Sequence, residues 1–85
     1  MFMTAADIDA KLEEEKRSSS AASHSAAWAE GLWAGIEPEI IAEEALETAL
    51  EELVRMGCED KFLDLLDQMR SRVIAGDFAA ERVCH

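Results

Sequence analysis

The sequence has no tyrosine, one proline, four glycines and two cysteines. Each shortage narrows what the chain can be. Aromatic residues make up 6% of it and β-branched residues are sparse, while Ala, Glu and Leu dominate, a balance that favours helix over strand. The cysteines, Cys58 and Cys84, sit outside any Cys-x-x-Cys spacing and are too few for a disulfide framework. No apolar run approaches the ~20 residues of a membrane span. The opening segment from Met1 to Asp7 has no basic region of the kind that leads a secretory signal. A reducing cytoplasm is therefore the expected compartment. Cations are scarce too: 8 Lys and Arg stand against 19 Asp and Glu, a formal charge of −11. Such a field repels phosphate backbones and anionic lipid, so direct contact with nucleic acid or a membrane is not expected. Basic proteins remain possible partners.

What is present is apolar and helical. Hydrophobic residues reach 49%, too many for a disordered chain, and the large ones cluster from Trp28 onward. With 85 residues the chain has room for one domain. A chain this short buries only ~60% of its unfolded surface, so self-association is an expected remedy for a thin core.

Along the chain, Thr4-Ala5-Ala6-Asp7 has the pattern of a capping box. Ile8 and Leu12 follow at i, i+4, with no large apolar partner until Trp28. Ser18-Ser19-Ser20 interrupts this front half. Because three serines weaken helix propensity, the favoured expectation is two helices here, the second capped by a serine. A continuous helix from about Ala5 to about Ala34 is the alternative. It would align Ile8, Leu12, Glu15, Ser19, Ala22, Ala26, Ala29, Trp33 and Ile36 as a heptad seam narrow enough for two helices to approach closely. Gly35-Ile36-Glu37-Pro38 then breaks the helix, and Pro38 suits the first position of the next.

From Pro38 to Met56 the periodicity is clear. Ala45, Leu46, Ala49, Leu50, Leu53, Val54 and Met56 fill one broad arc; Glu44, Glu47, Thr48, Glu51 and Arg55 fill the other. An arc this wide predicts a central helix that touches two neighbours. Gly57 is a natural stop, and Asp60 is the expected cap of a helix running to Ala75. In that helix Phe62, Leu63, Leu65, Leu66, Met69, Val73 and Ile74 share a face. Gly76 ends it. Asp77 is then placed to cap a short last turn from Phe78 to Val83, with Phe78 and Val83 returning to the core. Short loops imply antiparallel neighbours. The expected fold is all-α: a small antiparallel bundle of three to four helices plus a short C-terminal turn, completed by dimerisation. Residues 1–27 form an N-terminal helical arm and residues 28–85 the helical core.

Chemistry is thin. His24 stands among Ser20, Ser23 and Ser25, but no Gly-x-Ser-x-Gly turn or oriented third group accompanies it, and serine-rich helix surface explains the cluster. Glu81, Cys84 and His85 could share a face with a soft metal in mind, yet the spacing fits no zinc pattern and chain ends fray. Cys58 reads as a small apolar filler. Glu43, Glu44, Glu47, Glu51 and Glu52 lack the paired Glu-x-x-His motifs of a di-metal bundle and read as a solvated face. No cofactor is expected, and the chain does not read as an enzyme.

The candidate site is instead a contact surface made of Ile8, Leu12, Trp28, Leu32, Trp33 and Arg70. Trp28 and Trp33, five residues apart, project about 140° from each other, so one helix face cannot cover both. Arg70 lies inside the apolar arc of its helix. Either its stem is buried and its head wet, or it pairs with a glutamate of a neighbouring helix or second subunit. The expected function is a small acidic adaptor, regulator or accessory subunit acting by protein–protein contact, with a homodimer as the expected state. The alternatives are an acidic decoy that blocks a nucleic-acid-binding protein and, behind it, a metal or redox accessory protein.

Overall fold

The computed structural model describes residues 4–79. Among them are three α-helices and no strand: α1 (Ala5–Trp33), α2 (Pro38–Arg55) and α3 (Glu59–Ala75). The chain divides into two units, Met1–Ala42 and Glu43–His85.

In the first unit α1 is a single helix of 29 residues. This corrects the two-helix expectation for the front half and gives three helices where a split would have given four. The serine run does weaken the helix, at about 0.5 kcal/mol per serine relative to Ala. Breaking the helix and restarting it would require a second nucleus, at about 4 kcal/mol for a nucleation constant near 10⁻³. The smaller cost wins and the helix runs through.

The start of α1 is the capping box expected from its sequence. The Asp7 N–H donates to Thr4 Oγ1 and the Thr4 N–H donates to Asp7 Oδ2, each at 3.1 Å. Its end is a Schellman turn: the Gly35 N–H donates to the Leu32 carbonyl and the Ile36 N–H to the Gly31 carbonyl, both at 3.0 Å. Ile36 therefore lies beyond the helix and drops out of the heptad seam. Pro38 opens α2 as expected, since no N–H is needed there.

Within this unit the first turn of α2 meets the end of α1 at Gly31. The Ile41 side chain lies so near that a Cβ built on Gly31 would come within 2.8 Å of Ile41 Cδ1. Gly31, Ile41 and Ala42 are half-buried. No residue of α1 is fully buried.

In the second unit the rest of α2 turns into α3 around Gly57. Gly57 has φ 74°, a conformation that only glycine adopts without strain. The Gly57 N–H reaches the Val54 carbonyl at 2.9 Å and the Cys58 N–H reaches the Leu53 carbonyl at 2.7 Å. This turn uses so few residues that α3 begins at Glu59, with Cys58 in the cap position and no side-chain cap. Asp60 is thus not the cap. It lies in the first turn with Glu59, where negative charge complements the helix N-terminus.

Burial in this unit peaks beside the turn. Phe62 is 8% exposed, and Leu53, Cys58 and Leu65 are half-buried. Moving away along α3, exposure rises through Leu66 and Met69 to 64% at Val73; moving back along α2, it rises through Leu50 to 53% at Leu46. Of the apolar arcs read from the sequence, Phe62 is covered and Leu53 and Leu65 are half-covered, while Met56 and Leu63, as near the turn, are 68% and 57% exposed.

After α3, Gly76 adopts φ 84° and the Asp77 N–H donates to the Arg72 carbonyl at 3.0 Å. Phe78 does not return to a core. It is 54% exposed, with the Arg72 guanidinium carbon 4.5 Å from its ring centre. The Asp77 carboxylate, expected as a cap, lies 3.6 Å from Arg72 Nε. Val83 and the rest of the expected last turn lie outside the described residues.

Candidate interaction surface

α1 presents its large apolar side chains to solvent from one end to the other. Ile8 is 47% exposed, Leu12 49%, Trp28 38%, Leu32 44% and Trp33 92%. The reason is geometric. A helix of 29 residues is about 43 Å long at 1.5 Å per residue. Only its last turns meet other residues of its own unit, and they do so at Gly31. That contact face decides the fate of the two indoles. At about 100° per residue, Trp28 lies about 60° from Gly31 and Trp33 about 160° away, nearly opposite. Trp28 is partly sheltered and Trp33 is left bare.

The seam of the continuous-helix reading therefore survives from Ile8 to Trp33. Glu15, Ser19, Ala22, Ala26 and Ala29, which line it between the large residues, are all exposed. Gly31 falls on the opposite side. Five of the six sequence-predicted contact residues, Ile8, Leu12, Trp28, Leu32 and Trp33, share one helix. Only Ile8, Leu12 and Trp33 stand on the seam itself; Leu32 flanks it, and Trp28 lies toward the Gly31 side, about 140° from Trp33.

Arg70 is not part of this group. It lies on α3, exposed, and makes no ion pair among the described residues. The pairs that do form are Arg17 with Glu13, Arg55 with Glu52 and Arg72 with Asp77, all at the surface. Exposed pairs of this kind contribute ~0–1 kcal/mol each, so they tune the surface and do not hold the fold.

The remaining polar candidates remain surface features. Ser20 Oγ lies 3.5 Å from His24 Nδ1, one helical turn away, with both residues exposed. Glu43, Glu44, Glu47, Glu51 and Glu52 are all exposed. Among the described residues no group of three or more His, Cys, Asp or Glu is arranged to hold a metal. Cys58 Sγ points 3.6 Å from the Met56 carbonyl. Glu81, Cys84 and His85 lie outside the described residues. No described helix is long and apolar enough to cross a membrane.

Two features escaped the sequence reading. The close approach of Ile41 to Gly31 was signalled only by a glycine inside a helical stretch. That placement costs ~1 kcal/mol relative to Ala and so hints at a steric need. The Arg72–Phe78–Asp77 cluster had no local signal, because it depends on how the chain leaves Gly76.

The chain matches no protein-family model, no curated protein and no solved structure.

Proposed function

We propose that this chain is a non-catalytic protein-interaction module whose docking element is α1. The observation that carries the proposal is Trp33, a tryptophan left 92% exposed on the same helix face as Ile8 and Leu12. Exposed indoles in line with aliphatic residues are the raw material of interface hot spots. The partner is a protein because a formal charge of −11 disfavours phosphate backbones and anionic lipid. In the same reading the helices complete a small antiparallel bundle by association. The outer ends of the α2 and α3 arcs, Leu46, Val73 and Ile74, are more than half exposed and need cover.

A second reading, the acidic decoy, rests on a separate observation. Every described Asp and Glu is exposed, and only Glu13, Glu52 and Asp77 pair with an arginine. In that case the working surface is the carboxylate face of the helices, suited to a basic groove.

One experiment separates the two. A photo-crosslinking residue is placed at Trp33 in one variant and at Glu47 in another, in the cells that make the protein. Docking through α1 gives protein adducts, to a second copy or to another protein, from position 33 and few from position 47. Adducts to a basic protein from position 47 alone would replace this reading with the decoy. No adducts from either position would defeat both.

A further inference from the structure

Trp33 stands in a stretch of one sign. Between Arg17 and Arg55 every charged side chain is a glutamate. α2 and α3 each carry an arginine in the last turn, Arg55 and Arg72, which complements the negative end of the helix; α1 has no cation there. Glu30 lies three residues before Trp33 on α1, a spacing at which helical side chains are neighbours. Glu37 follows just beyond the turn at Gly35. Both glutamates are exposed, and neither makes an ion pair among the described residues.

We infer that the end of α1 receives a basic segment of another protein, with an arginine of that segment laid on the Trp33 ring and its guanidinium turned to Glu30. This contact rests on α1 being the docking element and gives the chemistry of what docks there.

Charge decides between the occupants. An apolar side chain covering Trp33 would strip water from Glu30 and from the uncompensated helix end, and would offer neither a partner. A second copy brings another formal charge of −11 and, at the same end of its own α1, the same glutamates. A guanidinium is attracted by the face of an indole, and its N–H groups lie in its own plane. It can therefore stack on the ring and donate to a carboxylate at the same time.

The chain assembles this combination once by itself. At the end of α3 the Arg72 guanidinium carbon lies 4.5 Å from the Phe78 ring centre, and the Asp77 carboxylate lies 3.6 Å from Arg72 Nε. Ring, carboxylate and helix end are joined there by an arginine of the same chain. At the end of α1 the ring, the carboxylate and the helix end are present and no arginine of the chain joins them. Phe78, with its guanidinium, is 54% exposed; Trp33 is 92% exposed.

The full chain carrying Trp28→Phe, which leaves Trp33 as the one indole, is titrated with hexa-arginine amide and with hexa-citrulline amide. Citrulline keeps the planar head group and removes its charge. Nuclear magnetic resonance reads the Trp33 indole N–H. Hexa-arginine is expected to move this signal at a concentration roughly tenfold lower than hexa-citrulline does. Trp33→Leu, which keeps an apolar side chain and removes the ring, is expected to weaken hexa-arginine binding by roughly tenfold, and Glu30→Gln by roughly threefold. Both side chains are exposed, so neither change disturbs a packed site. An indole signal unmoved at saturating hexa-arginine would overturn the inference. So would equal binding by Trp33→Leu, since the general field of an acidic chain would then be holding the peptide. Crosslinking through position 33 separates this contact from the docking role of α1. An adduct in a partner segment of net positive charge that contains arginine is expected. An adduct on a second copy, or on a segment without a cation, would overturn the arginine contact alone and leave α1 as the docking element.

Discussion

Phe62 and Trp33 are both large aromatics on the faces of helices, yet one is 8% exposed and the other 92%. They mark two ways in which this chain is held in shape. In the second unit, α2 and α3 meet at a tight glycine turn and bury Phe62 beside it, with Leu53, Cys58 and Leu65 half-covered. Helical structure there rests on burial. In the first unit, α1 runs for 29 residues with none fully buried. Its order rests on local terms: the Thr4–Asp7 box, the Glu13–Arg17 pair, and a high content of good helix formers. The comparison teaches that regular structure and a core are separable. A helix can be long because nothing stops it, and still leave its apolar stripe for something else to cover.

The largest effect that would break the comparison is Phe62→Ala. Truncating a buried phenylalanine costs ~3–5 kcal/mol, a large share of the stability of a small domain. Thermal melting followed by circular dichroism should show the cooperative transition lowered sharply or lost. An unchanged melt would mean that burial at Phe62 does not hold the second unit. Gly57→Ala is next. With φ at 74° and open space around the added Cβ, the cost is that of the backbone alone, ~1–2 kcal/mol. A denaturant titration should shift its midpoint by that amount with little change in slope. Thr4→Ala is the smallest, ~1 kcal/mol at the cap. Amide exchange should quicken in the first turns of α1 while the amides around Phe62 keep their protection. Loss of protection at both places would show that the two regions are not held separately.

Much of the architecture was legible from residues alone. Pro38, Gly57 and Gly76 mark boundaries because each acts through its own backbone, whatever surrounds it. The apolar arcs of α2 and α3 were legible because a repeat near 3.6 residues is a property of one segment. The front half is not legible from propensity alone: three serines look like a joint until the cost of restarting a helix is set beside them. The Asp60 cap failed for a neighbouring reason, since the economy of the turn at Gly57 let α3 begin one residue after Cys58. Of the contact residues, Ile8, Leu12 and Trp33 emerged as exposed and in line. Arg70 was singled out by its place in an apolar arc, and that arc is only partly covered. Phe78 was expected inside and is found against Arg72.

Sequence alone determined that this chain is helical, where its glycines end each helix and which stripe of each helix is apolar. These follow from φ preferences, capping and periodicity, all of them local. Tertiary structure decided which stripes are covered. A contact such as Ile41 on Gly31 depends on two segments ten residues apart meeting on one particular face. That choice of face shelters part of Trp28, leaves Trp33 in water and keeps the seam of α1 open along its length.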